Sequence, residues 1–263
     1  MRKSNLTLQT FLYLLFFCIS FTNTIHAQKR EYYEIKIYRL TTNEQVKQVN
    51  DFLQNAYIPA LHRAGIGKTG VYHPITNDTA TDKRIYVFIP LRSLDQLSTV
   101  EDMLVKDARL TQDGDAYWNA AFNASPYARI ESIVLKAFAM MPKMQVPSLT
   151  GNKTERIYEL RSYEGATEKL YRKKVEMFNE GGEITLFKRL QFNAVFYAEV
   201  LAGSHMPNLM YMTSFNNRAE RDEHWKTFGA DPEWKKLSAL AEYKNTVSKN
   251  DPVLLHPAEF SEL

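Results

Sequence analysis

Arg156-Ile157-Tyr158-Glu159-Leu160-Arg161-Ser162-Tyr163 decides the fold, because a second version of it, Glu31-Tyr32-Tyr33-Glu34-Ile35-Lys36-Ile37-Tyr38, stands 125 residues earlier. Sliding the chain on itself by that offset also superposes Thr42 on Thr167, Leu61 on Leu186, Tyr72 on Tyr197 and Tyr86 on Tyr211. A spacing this long marks a duplicated domain, since solenoid units run to about 20–50 residues.

Around each copy the apolar period switches from two to that of a helix and back. Tyr33, Ile35 and Ile37 alternate with Glu34, Lys36 and Tyr38 as in a half-buried strand. Thr42, with Gln45 three residues on, opens a helix bearing Val46, Val49, Phe52, Leu53 and Ala56. Pro59 should kink that helix and Gly65 should end it. Gly70-Val71-Tyr72 and Arg84 to Ile89 read as strands, Ser93 to Trp118 as a helical region broken near Gly114, and Ile130 to Met140 as a fourth strand. The second copy repeats this order. Thr167 and Asn217 cap its helices, and Asp231-Pro232 restarts one whose Trp234, Leu237, Leu240 and Ala241 form a buried stripe. Phe192 to Val200, Leu209 to Phe215 and Val253 to Leu255 supply the remaining strands.

Strand, helix, strand, strand, helix, strand is the ferredoxin-like arrangement, with helices on one face of an antiparallel sheet. The expected class is α+β: two tandem ferredoxin-like (βαββαβ) domains at 28–141 and 155–263, joined by a linker at 142–154. Together they form an intramolecular dimeric α/β-barrel-like pseudo-dimer.

Arg2 and Lys3 precede an uncharged run from Phe11 to Ile19, and Ala27 offers a small residue for cleavage. Residues 1–27 therefore read as a signal peptide, giving a secreted or periplasmic protein with no stable membrane insertion once it is cut. Cys18 is the only cysteine, so the mature chain has no disulfide, thiolate metal site or cysteine nucleophile. The formal charge of +3 falls to +1 without Arg2 and Lys3, too little to steer nucleic acid.

The chain resembles the NIPSNAP family, of the exported bacterial kind. In the second copy the likeness rests on Tyr158 to Tyr163, on Leu209-Met210-Tyr211-Met212, and on Arg218 to Trp234 ending in Asp231-Pro232-Glu233-Trp234. In the first it rests on Tyr57 to Ile66 followed by Gly70-Val71-Tyr72. The first copy departs from the pattern, carrying Tyr117-Trp118 where Glu233-Trp234 stands in the second. The resemblance implies a fold of the dimeric α/β-barrel superfamily and no agreed reaction.

Strand alternation yields the candidate site. If helices cover the face bearing Tyr33, Ile35, Val71, Ile85 and Val87, the other face carries Glu34, Lys36, Tyr38, Tyr72 and Tyr86. The same parity gives Glu159, Arg161, Tyr163, Tyr197 and Tyr211 in the second copy. These ten residues are expected to face inward and line a barrel cavity for a small molecule, with Arg161 as a bidentate anchor for an anion. The same residues also fit a purely structural reading, as ion pairs along a strand and tyrosine filler between sheets. His62, His73, His205, His224 and His256 show no metal-ligand spacing, and no phosphate loop, Gly-x-Ser-x-Gly or dinucleotide fingerprint is present. No metal or cofactor is expected. The sequence leaves open an exported binding protein or a cofactor-independent enzyme of the α/β-barrel type, such as a monooxygenase, isomerase or lyase, either as a monomer or as a homodimer.

Overall fold

The computed structural model describes residues 29–263; the expected signal peptide lies outside them. The first half runs β1 (Tyr32–Leu40), α1 (Asn43–Phe52), a π turn (Leu53–Tyr57), α2 (Ile58–Arg63), β2 (Gly70–Pro74) and β3 (Lys83–Leu91), then α3 (Asp95–Val105), α4 (Ala108–Asp113), α5 (Asp115–Trp118) and β4 (Arg129–Ala137). The second half runs β5 (Ile157–Glu164), α6 (Glu168–Asn179), α7 (Glu183–Arg189), β6 (Asn193–Ala202), β7 (Asn208–Phe215), α8 (Arg218–Ala230), α9 (Pro232–Ala239) and β8 (Lys249–Pro257).

Local chemistry explains most of the boundaries. The hydroxyls of Thr42 and Thr167 accept from the backbone amides of Gln45 and Leu170, and Asn217 accepts from that of Glu220, each satisfying a helix donor left free. Asp231 accepts from the amides of Glu233 and Trp234, with Pro232 at the first helical position. Gly65, at φ +80°, closes the chain after α2 in a conformation that costs a side-chain-bearing residue energy. The expected kink at Pro59 takes a specific form. The chain widens into a π turn just before the proline, the Leu53 carbonyl accepts from Ile58, and Leu53, Ala56 and Tyr57 point inward.

The eight strands close into one antiparallel barrel in the order β1-β3-β2-β8-β5-β7-β6-β4. Strands of the first half are contiguous as β4-β1-β3-β2 and those of the second as β8-β5-β7-β6, both in ferredoxin-like order. The seams are β2 with β8, pairing Tyr72 with Pro257 and Pro74 with Leu255, and β4 with β6, pairing Leu135 with Val200. Closure leaves no sheet edge for another chain to extend.

Register settles which side each residue faces, and it corrects the parity reading of β1. Ile35 pairs with Phe88 and Ile37 with Tyr86, so Tyr33, Ile35 and Ile37 share the lumen with Tyr72, Tyr86 and Phe88. Glu34, Lys36 and Tyr38 pair with Ile89, Val87 and Ile85, on the helix-covered side. On β5 the second half behaves alike, with Tyr158 and Leu160 in the lumen and Glu159, Arg161 and Tyr163 under helices. Tyr197 and Tyr211 also lie under helices, on the face opposite to that of Tyr72 and Tyr86, so the 125-residue superposition does not hold for those strands. Of the ten residues expected to face inward, only Tyr72 and Tyr86 do.

The lumen is a core and not a ligand chamber. Tyr33, Phe88 and Phe196 meet with ring centroids 4.9–5.4 Å apart, and Tyr72 lies 4.8 Å from Tyr158 across the seam between halves. Each such wholly buried ring contributes about 1.5–3 kcal/mol. A void of about 90 Å³ at one mouth, bounded by Tyr86, Ser162, Asn208 and Met210, has room for only a few waters. The middle of the lumen is apolar and aromatic, Arg84, Glu131, Glu164 and Asp251 gather at its one mouth, and Glu34, Lys36, Glu159 and Arg161 point toward the helices, whose side chains can meet them.

Residues 138–152 hold few regular elements yet are tied down. Gln145 donates its backbone amide to the Val195 carbonyl, and Met144 and Leu149 pack on the lumen core. The stripe expected along α9 is only partly buried: Trp234 packs on Phe228 at 4.5 Å and Leu237 is half-buried, while Leu240 and Ala241 are exposed. Among the described residues no helix is long and apolar enough to cross a membrane.

Candidate functional site

The repeated Glu-x-cation-x-Tyr stretch puts an acid, a base and a phenol on the helix-covered face of each half, and the two halves treat them differently. In the second half the set is sealed. Glu159, with no exposed surface, accepts four hydrogen bonds: from Arg161 Nε (2.7 Å), Arg221 Nε (2.8 Å), Arg221 Nη2 (2.8 Å) and Trp225 Nε1 (2.6 Å). These fill the acceptor positions of a carboxylate. The Arg161 guanidinium lies over the Trp225 ring, 4.0 Å from its centroid, and donates through Nη1 to Tyr163, whose hydroxyl meets that of Tyr211 at 2.8 Å. Tyr197 stacks on Tyr211 at 5.5 Å. Burial alone would raise the Glu159 pKa, but Arg221 and Arg161 outweigh it and hold the carboxyl below its ordinary value. Beside this network Lys174 and Glu183 form a buried pair at 2.7 Å, with the ammonium over the Phe178 ring.

In the first half the corresponding set opens on a cavity of about 330 Å³. Lys36 donates to the Tyr57 hydroxyl at 2.9 Å and to Glu101 at 3.2 Å, while Glu34, buried beside it on β1, accepts from Ser132 Oγ at 2.6 Å. The π turn delivers Tyr57, α3 delivers Glu101, α5 delivers Tyr117 and Trp118, and the connection from α5 to β4 delivers Tyr127. Phe52 and Tyr117 stack face to face at 3.7 Å, and Tyr38 meets Tyr117 and Tyr127 edge-on. Val105, Trp118 and Ile130, all exposed, form an apolar rim.

Electrostatics keep this base charged. Burial pushes Lys36 toward losing its proton, but the Tyr57 oxygen and the carboxylates of Glu34 and Glu101 more than reverse that and raise its pKa. Burial pushes the Tyr57 phenol up to about 12, with Lys36 pulling the other way. The site can thus offer an ammonium and an un-ionised phenol to one ligand across the physiological range.

The expected site residues are therefore regrouped. Glu159, Arg161, Tyr163, Tyr197 and Tyr211 come together, but under helices and saturated. Glu34, Lys36 and Tyr38 come together beside the open cavity. Tyr72 and Tyr86 stand apart in the lumen, Tyr86 against Arg84 at 3.5 Å. The sequence reading missed Tyr57, Glu101, Tyr117 and Tyr127 in the first half, because a π turn and a broken helix place them. Arg221 and Trp225 carried a usable signal, being four apart on one helix and so on one face. A broader groove of about 510 Å³ lies over the second half near Met140, Phe192 and His224, but none of its charged lining residues is buried. Among the described residues no group of three or more His, Cys, Asp or Glu is placed to hold a metal ion.

Comparison with known structures supports the architecture. A protein from Lactobacillus acidophilus NCFM with a proposed monooxygenase activity aligns over 87% of this chain and 94% of its own, at TM-score 0.56 and 13% identity. An anthrone oxidase-like protein aligns over 88% and 93%, at TM-score 0.53 and 8% identity. At these identities the likeness shows the fold alone, that of the ferredoxin-like α+β barrels. A NIPSNAP family protein of unknown function from Agrobacterium tumefaciens str. C58 aligns over 43% of this chain and 97% of its own, with 21% identity and TM-score 0.36. A comparison with curated proteins finds no match. The NIPSNAP family model matches residues 158–262, which holds Glu159, Arg161, Arg221, Trp225 and the Asp231-Pro232-Glu233-Trp234 segment, while the cavity-bearing half lies outside the matched residues.

Proposed function

We propose that this is an exported protein of two fused ferredoxin-like units, a NIPSNAP-type pseudo-dimer, whose first unit binds a small and largely apolar molecule between its sheet and its helices. One observation carries the reading: the Lys36 ammonium sits in an aromatic-walled cavity of about 330 Å³, within the size range of small-molecule sites, whereas its counterpart Arg161 is taken up by Glu159, Tyr163 and Trp225. The repeated strand order and the matched caps at Thr42 and Thr167 support the two-unit origin. Export rests on the charged, apolar and small-residue sequence of 1–27, and finding Gln28 as the N-terminus of extracellular or periplasmic material would support it. Barrel closure supplies internally the pairing that a single-unit protein would seek in a second chain, so the mature protein is expected to run as a monomer.

Binding is tested with residues 28–263 and a panel of aromatic alcohols and acids, read by native mass spectrometry and by shift of the unfolding midpoint. Val105→Trp, at an exposed rim position, should abolish the shifts without unfolding the protein. Ligands that bind equally to this variant would place the site elsewhere and sink the reading. A second reading, a cofactor-independent enzyme, draws on the Lys36–Tyr57 contact, which is built to move or hold a proton. Consumption of a bound ligand that stops in Lys36→Met would favour it over simple binding.

A further inference from the structure

We propose that the first-half cavity takes a phenol, or a compound with a comparably acidic hydroxyl, and holds it as the oxyanion against Lys36 and Tyr57. The inference rests on the binding reading above and names the ligand class for that same site. Lys36 has three N–H donors, of which one goes to Tyr57 and one to Glu101, leaving one for a ligand. The Tyr57 hydroxyl accepts from Lys36, so its own proton is directed elsewhere, and it is bonded to no other described residue. An N–H and an O–H thus converge on one cavity wall, a donor pair suited to a single charged oxygen. The stacked Phe52 and Tyr117 rings, with Tyr38 edge-on to Tyr117 and Tyr127 beside it, wall the cavity with aromatic surface for the ring that carries that oxygen.

Other charges near Lys36 set the sign of the effect. Glu34 faces it from β1, Glu101 from α3, and the phenols of Tyr38, Tyr57 and Tyr117 from the surrounding elements. Both carboxylates oppose a bound anion. Glu101 is half exposed, so water screens it, and Glu34 has Oε1 engaged by Ser132. The ammonium, at hydrogen-bonding distance from the ligand oxygen, is the nearest charge and prevails. Binding then breaks the ligand O–H bond, leaves the electron pair on oxygen and releases the proton to solvent, with no oxidant or reductant needed. The second half cannot do this, because Arg161 is committed to Glu159 and Tyr163.

The probe is 4-nitrophenol, whose ionised form is read by its visible absorbance while pH is varied with the mature protein in excess. The apparent pKa of the bound probe should fall by about one unit relative to free probe. Lys36→Met should bind the probe without the shift, Tyr57→Phe should reduce it, and Glu101→Gln should enlarge it. Binding with no shift, or with the same shift in Lys36→Met, overturns the oxyanion inference and leaves the binding reading standing. A shift that survives Val105→Trp overturns the assignment to this cavity, and no binding of the probe overturns both. Should Lys36→Met not fold, the opposite signs expected for Tyr57→Phe and Glu101→Gln still decide.

Discussion

Glu34, Lys36 and Tyr38 occupy the same strand positions as Glu159, Arg161 and Tyr163, yet one set borders a cavity and the other is a finished network. Two differences produce this. The second half brings Arg221 and Trp225, one helical turn apart on α8, down onto Glu159, and Trp225 both bonds the carboxylate and covers the Arg161 guanidinium. In the first half the chain from α3 to β4 breaks at Asp107 and again at Gly114, and its rings stand around Lys36 and leave space between them. Arginine suits the sealed role because its planar fork meets a carboxylate and stacks on a ring at once, whereas lysine leaves a mobile point charge available to a guest.

The largest expected effect comes from breaking the sealed network. Glu159→Leu strands two guanidinium groups against a dry wall and should cost about 3–5 kcal/mol of stability, measured by urea unfolding. Glu34→Leu removes a carboxylate with one side-chain hydrogen bond and should cost less than half as much. Equal losses would erase the distinction between the halves. Next comes Trp225→Ala, which takes a half-buried ring off Arg161 and should cost about 2–3 kcal/mol, below the range for a wholly buried Trp. It should also open the second half, so that an anionic aromatic ligand gains a weak second site detectable by native mass.

A smaller effect depends on pH. The Glu159 pKa is held below its unfolded value, so its contribution to stability is complete above about 4.3 and is lost as pH falls through the folded value. The stability gap between wild type and Glu159→Gln should therefore narrow on acidification below that point; a gap that stays constant would mean that the carboxylate's charge contributes nothing. The smallest expected effect compares the caps. Thr42→Ala and Thr167→Ala should each cost about 1 kcal/mol and nearly equally, since both hydroxyls accept at 3.2 Å from the amide three residues on.

How much of this was legible in the letters follows from what each residue needs from its neighbours. The repeat, the element order and the caps depend on local spacing, and the sequence carries them openly. Facing is a property of pairing: β1 has apolar residues at Tyr33, Ile35 and Ile37 and a mixed set between them, and only the register with Phe88 and Tyr86 says which side is lumen. The assumption that Glu34, Lys36, Glu159 and Arg161 line the barrel interior fails here because an eight-stranded barrel is narrow enough for side chains to fill most of its lumen, leaving charges only at one mouth. Tyr57 could not be foreseen at the site, since a π turn with no distinctive sequence aims it. Lys174 and Glu183, nine residues apart on different helices, carry no spacing signal that would foretell their burial together.

The most direct measurement is a crystal structure of residues 28–263 soaked with 4-nitrophenol. Difference density for one ring beside Phe52 and Tyr117, its oxygen within hydrogen-bonding distance of Lys36 Nζ and Tyr57 Oη, is the predicted result. Density instead in the barrel lumen or in the groove near His224, with the space beside Lys36 empty, would contradict the account.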